Sequence, residues 1–204
     1  MPYERLDVKQ LKILVYPDPV LRVKAKPVEA VTDQVRAAAQ QMLELMHAAP
    51  GVGLAATQVG LNLRFFVANA TGEPGDDQVF INPVLTDPSR ESVEVEEGCL
   101  SLPEIRGVVR RPMKITIRAQ DIEGRTFEAT SDELAARVWQ HETDHLDGIL
   151  IIDRMAPLDR LANQKRLREM ERSGEGSTAA EDRAGTGAKA RARTPVRKSR
   201  RRAD

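Results

Sequence analysis

Two histidines one helical turn apart constrain this chain more than any other feature: His141 and His145 in Gln140-His141-Glu142-Thr143-Asp144-His145-Leu146-Asp147-Gly148. Residues four apart on an α-helix return to nearly the same side, about 6 Å along the axis, so both imidazoles can grip one metal ion with Glu142 beside it. The stretch therefore predicts a helix with a buried face. Thr130 and Glu133 read as a capping box at its start, Asp132 as first-turn negative charge and Gly148 as its stop. Leu134, Val138, His141, His145 and Ile149 share one helical face, which turns the histidines inward. A lone inward histidine is ordinarily a hydrogen-bonded core residue, and that is the reading for His47. The chain has only 3 histidines, and the other two fall in this pattern, which outweighs the same plain reading for them.

A catalytic metal site usually takes three protein ligands and keeps one position for water. The His-Glu-x-x-His-x-x-Gly-x-x-His continuation fails, because Ile151 stands at the last position. Downstream, Glu169 is the carboxylate alternative, but it lies among alternating Arg and Glu that read as a solvated face. Upstream, Cys99 in Glu97-Gly98-Cys99-Leu100-Ser101 ends an alternating strand. A single cysteine is most often a small buried hydrophobe. Beside two neutral imidazoles, however, a thiolate completes a ligand set suited to Zn²⁺ or Fe²⁺, and Cys99 is the better third ligand. A closed, purely structural site completed by His47 or an acid stays open as a third reading.

The 204 residues predict one domain with an appendage. With 41% hydrophobic residues and only 3% aromatic ones, the core is expected to be aliphatic. No apolar run approaches a membrane span, and Met1 to Lys12 lacks an apolar signal core, so a soluble protein is expected. One cysteine cannot form an internal disulfide, which points to a reducing cytoplasm. Net charge is zero but unevenly placed: from residue 173 onward nine basic residues face four acidic ones, leaving the body mildly acidic. That Gly/Ala/Ser/Arg-rich end is too poor in apolar side chains to fold, so residues 1–172 are read as the catalytic domain and 173–204 as a disordered basic tail.

Along the chain, Thr32 or Asp33 caps a helix from Gln34 to Ala48, whose Val35, Met42, Leu45 and Met46 form a packing stripe that Pro50-Gly51 ends. Short apolar runs follow: Leu63 to Ala68, Val79 to Asn82, Ser92 to Glu97, Met113 to Ala119 and Arg125 to Thr130. Val93 and Val95 alternate with Glu94 and Glu96, as half-exposed antiparallel strands do. Asp121-Ile122-Glu123-Gly124 suits a hairpin, and a last helix runs from Leu158 to about Arg172. The predicted fold is α+β: mainly antiparallel β-sheets around a central metal-binding helix, with an N-terminal and a C-terminal helix.

Gly51-Val52-Gly53-Leu54-Ala55-Ala56-Thr57-Gln58 is a loop of small residues. It lacks the Lys-Ser/Thr of a phosphate loop and the preceding strand of a dinucleotide site. Its smallness fits a wall that a ligand runs along, and Gln58 can donate to a developing oxyanion. The backbone N–H of Leu100, next to Cys99, can face the same substrate.

Residues 51 to 58, 97 to 101 and 140 to 148 resemble, in order, the three signature motifs of the peptide deformylases, and Tyr16-Pro17-Asp18-Pro19 resembles that family's entry segment. The likeness spans roughly residues 11 to 155. It implies removal of the formyl group from the N-terminal formylmethionine of nascent polypeptides, releasing formate. Cys99, His141 and His145 would hold one divalent ion, ferrous iron first and zinc second. The ion's water would attack the formyl carbonyl with Glu142 as general base and then acid, while Gln58 and the Leu100 N–H meet the oxyanion. The methionine slot would draw on Gly53, the 104–108 loop including Arg106 and Gly107, and Leu134, Arg137 and Val138. Asp144 is expected to brace the helix through Arg106 or Arg111. The basic tail reads first as a solvated arm, and docking to the ribosome is its functional alternative; nascent peptides are the expected partners, with no membrane and no DNA.

Overall fold

A computed structural model of the chain describes residues 7–185, with side chains as far as residue 174. The first helix, α1 (Asp33–Ala48), starts where the Thr32 hydroxyl accepts the Val35 N–H. Strands β1 (Gly53–Ala55), β2 (Phe65–Ala68), β3 (Gln78–Thr86), β6 (Ile115–Gln120) and β7 (Thr126–Ser131) form one antiparallel sheet in the order β1-β2-β3-β6-β7. Strands β4 (Ser92–Cys99) and β5 (Leu102–Pro112) form a separate two-stranded sheet. The metal-motif helix is α2 (Leu134–Leu146); α3 (Ile151–Arg154), α4 (Pro157–Ala162) and α5 (Gln164–Gly185) close the chain.

The β1-β2 end of the five-stranded sheet is buried on both faces, which is why β2 reads Phe65-Phe66-Val67-Ala68 without a polar residue. Phe65 and Val67 pack with Val35, Met42 and Met46 of α1. Phe66 and Ala68 face the other way, toward Ala136, Val138, Trp139 and Leu146 of α2. The Phe66 and Phe80 rings stack at 4.6 Å, and Trp139 lies 5.9 Å from Phe80. A third cluster, Leu102, Ile105, Val109, Leu150, Ile152, Leu167 and Met170, fastens β5 to the C-terminal helices. The α+β expectation therefore holds, with α2 between the large sheet and the hairpin.

Local expectations differ in several places. The Thr130–Glu133 capping box does not form: Thr130 belongs to β7, opposite Thr116 of β6, and the sheet ladder takes it out of reach. Ser131 Oγ instead accepts the Glu133 N–H, and Asp132 lies before the helix. Ile149 falls beyond α2, because Gly148 turns left-handed with φ of 74°. A side chain at 148 would also stand 2.5 Å from the Arg22 carbonyl oxygen. Two strands were not foreseen: β1 within the small-residue loop, and β5 over the expected 104–108 loop. β3 continues past Asn82 through an irregularity to Thr86. The final helix passes Arg172, and most of the expected disordered tail, 186–204, lies outside the described residues.

Candidate active site and metal centre

α2 presents His141 and His145 toward the end of β4, where Cys99 closes the strand. His145 Nε2 lies 3.2 Å from Cys99 Sγ and 3.2 Å from His141 Nε2, and all three ligand atoms fall within 4.8 Å of one another. These spacings suit an ion: for metal–nitrogen bonds of 2.0–2.1 Å, a tetrahedron has edges of about 3.4 Å. A soft thiolate with two imidazoles fits a divalent transition metal. Glu169, the downstream alternative, pairs with Arg166 instead, and His47, expected in the core, is exposed and holds the Asp77 carboxylate at 2.9 and 3.0 Å.

Two buried carboxylates flank His141. Glu97 accepts from His141 Nδ1 at 3.0 Å, from Arg111 Nε and Nη2 at 2.7 and 2.9 Å, and from Arg137 Nη1 at 2.5 Å. The Nδ1 contact directs Nε2 toward Cys99 and raises the basicity of the ring. Burial opposes ionisation of Glu97, but the bonds from His141 and Arg111 hold its carboxyl far below the usual range. Arg111 also binds Asp144 at 2.8 Å, and Asp144 binds Arg154, so alternating charges run from the surface to the His141 ring. Of the two partners expected for Asp144, Arg111 is the real one; Arg106 approaches Glu96 at 3.8 Å.

Glu142 is the opposite case. Its Oε2 is buried without a hydrogen-bond partner, and burial pushes its carboxyl up to about 7 against the charges of His141 and Arg111. The carboxylate lies against the Gly53 backbone, where a Cβ would stand 2.5 Å from Glu142 Oε1. Burial likewise drives His145 well below its ordinary value, aided by the charges of His141 and Arg111, which keeps it a neutral donor. Gln58 is fully buried; its Oε1 accepts the Ala55 N–H at 2.8 Å, which fixes the opposite end of the amide. Its Nε2 points at Ser101 Oγ, 3.1 Å, and Cys99 Sγ, 3.6 Å.

A family model described as polypeptide deformylase matches residues 10–161. The chain belongs to the polypeptide deformylase family. It is 44% identical over 165 residues to a peptide deformylase of Acinetobacter baumannii, covering 81% of this chain and 94% of that one. Among solved structures, a peptide deformylase from Plasmodium falciparum superposes with a TM-score of 0.78 at 34% identity, covering 81% of this chain and 98% of the other. One from Legionella pneumophila gives 0.74 at 38% identity, covering 81% and 97%.

The deformylase cleft beside the three candidate ligands has a volume of about 580 Å³ and contains Gly53, Gln58, Leu100, Glu142, Leu134 and Val138. Val52, Val95 and Leu134 leave 44%, 46% and 50% of their surface uncovered, an apolar margin open to a ligand. Arg106 borders the cleft. Gly107, expected there too, faces the other way: a Cβ on it would meet Met155 at 2.9 Å, because β5 alternates its faces. Arg137 borders the cleft, but its guanidinium is committed to Glu97 and to the Val93 and Val109 carbonyls. Glu97 and Ser101 are the site residues whose roles sequence reasoning missed. Thr57 is another, its hydroxyl donating to the His145 carbonyl at 3.1 Å. No helix among the described residues is long and apolar enough to cross a membrane.

Proposed function

We propose a division of labour for hydrolytic removal of the N-formyl group from the formylmethionine of nascent polypeptides, which releases formate and a free amine. Cys99, His141 and His145 hold one divalent ion, ferrous iron in the reducing cytoplasm, with zinc able to occupy the same donors. When bound, such an ion supplies Lewis acidity that lowers the pKa of a water from about 15.7 to about 7. Glu142 accepts the proton of the attacking water and returns it to the departing amine nitrogen, a role worth typically ~10²–10⁴ in rate.

The observation that carries this reading is Glu142 itself: buried beside the three ligands, with one oxygen bare and its carboxyl raised to about 7. Gln58, anchored at Oε1 by the Ala55 N–H, offers Nε2 to the oxyanion together with the Leu100 N–H. Loss of one such donor typically costs about 3–4 kcal/mol in the transition state. Gly53, Leu134 and Val138 receive the methionine side chain, with Arg106 at the cleft's edge. The basic residues of the 173–204 tail dock on ribosomal RNA, a contact that weakens with added salt.

The deciding experiment measures formate release from formyl-Met-Ala-Ser by anaerobically prepared, ferrous-loaded protein beside Glu142→Ala. Release that vanishes in the variant supports the assignment. A fully loaded protein that releases no formate sinks it. For the tail, unchanged ribosome co-sedimentation at low salt after deletion of 174–204 removes the docking idea.

A further inference from the structure

The segment before the first helix touches both halves of the reaction site from behind. Leu14 N–H donates to the Gln58 carbonyl at 2.8 Å, and two residues later Tyr16 N–H donates to the Ser101 carbonyl at 2.9 Å. Gln58 lines the cleft, and its amide donates to the buried Ser101 Oγ at 3.1 Å. The backbone from 14 to 16 thus sets the spacing between the amide donor and the turn that carries Cys99 and Leu100.

That segment is itself held by α5. The Tyr16 hydroxyl donates to Glu171 Oε1 at 2.7 Å across 155 residues of sequence. One turn on, Gly174 lies so close to Pro17 that a Cβ would stand 2.6 Å from its Cδ. Leu14, Tyr16 and Cys99 pack on the same apolar cluster as Leu167 and Met170 of α5. The same helix also reaches another wall of the cleft, where Arg166 binds Glu104 at 2.8 Å; Asn163, which caps α4 just before it, donates Nδ2 to the Arg106 carbonyl at 2.8 Å.

We propose that Tyr16 and Glu171 are positioning residues that transmit the seating of helix α5 to the Gln58 amide. The inference rests on Gln58 acting as an oxyanion donor. A donor that acts only in the transition state, when displaced, lowers kcat and leaves KM in place. Small misplacement is costly because the hydrogen bond must meet the oxyanion, not the ground-state carbonyl.

The test uses the metal-loaded full chain with formyl-Met-Ala-Ser, at a temperature well below every variant's Tm. Tyr16→Phe keeps the ring and loses the hydroxyl; Glu171→Ala loses the acceptor; Glu171→Gln keeps an amide oxygen for the same bond. We expect Tyr16→Phe and Glu171→Ala each to lower kcat about five-fold with KM within about two-fold. Glu171→Gln is expected to stay near the wild-type kcat, and the double variant to be no slower than the slower single one. A kcat that holds while only Tm falls, or a rise in KM alone, overturns the inference. Effects that add in the double variant also overturn it. Gln58→Ala runs alongside: if it turns over at the wild-type rate, the oxyanion assignment has failed, which is a different failure from an inert Glu171.

Discussion

Glu97 and Glu142 are both buried, both in contact with or next to His141, and they behave in opposite ways. Four donor contacts saturate Glu97, from two guanidinium groups and an imidazole. Glu142 keeps a bare oxygen over a glycine. A carboxylate surrounded by donors cannot take a proton near neutral pH, whereas one buried with an oxygen left bare is poised to do so. Environments that push two like groups apart suit them to different roles, in the proposed mechanism an orienting anion and a base.

The sharpest way to break the contrast is Glu142→Ala: kcat should fall by about 10²–10⁴ while metal content stays stoichiometric. Retained turnover would mean that another group moves the proton. Next comes Glu97→Gln, which removes a buried charge from between Arg111 and His141. It should weaken metal binding about 10–100-fold, measured by chelator competition, and lower stability by about 3–5 kcal/mol. An unchanged affinity would reduce Glu97 to a structural anion.

Dependence on pH separates the two further, with opposite signs. The Glu142 carboxyl is raised from 4.5 to about 7 by burial, so between these values the folded state binds more protons than the unfolded one and stability falls as pH rises. Its base form is lost as pH falls through about 7, giving kcat/KM an acid limb that the ion's charge draws lower. Glu97 is depressed, so its contribution to stability is present above 4.5 and is lost as pH drops below that value. Urea midpoints of chelated protein across pH 3–8 are compared between wild type and each variant, because His145, held below its ordinary value, adds a rising slope of its own below about 6.5. The difference from Glu142→Gln should fall between 4.5 and about 7, and the difference from Glu97→Gln should rise with pH up to 4.5; a missing difference refutes that assignment. The smallest effect is expected at Arg154, the exposed end of the charge chain. Arg154→Ala should cost about 0–1 kcal/mol with kcat unchanged, and a larger loss would mean that the chain acts as one unit.

What could be read in the sequence follows from whether a signal was local. His141 and His145 share a helical face through spacing alone, and Cys99 stood out as the one thiolate available upstream. Strand β5 escaped notice because Pro103, Gly107 and three arginines break its alternation, although its partner β4 was plain. β1 was hidden among small residues that read as a loop. Glu97 belongs to a Glu-rich alternating strand whose other acids do face solvent; it is buried where Arg111 of β5 meets Arg137 and His141 of α2. The predicted start of α2 failed because a helix cap and a strand pair competed for Thr130, and the strand, with a ladder of neighbours, prevailed. His47 lies at the end of its helix, where the Asp77 carboxylate meets it outside the core.

The ligands also differ in how far apart the chain places them. The histidine pair forms within one turn of α2, and the hairpin that carries Cys99 folds from neighbouring residues. Their meeting, however, joins positions 46 residues apart. Contacts of that separation form late, after loop-closure entropy has been overcome. A refolding chain can therefore hold each fragment of the metal site long before it can hold the ion, and the moment of ion uptake marks the docking of the hairpin onto the helix.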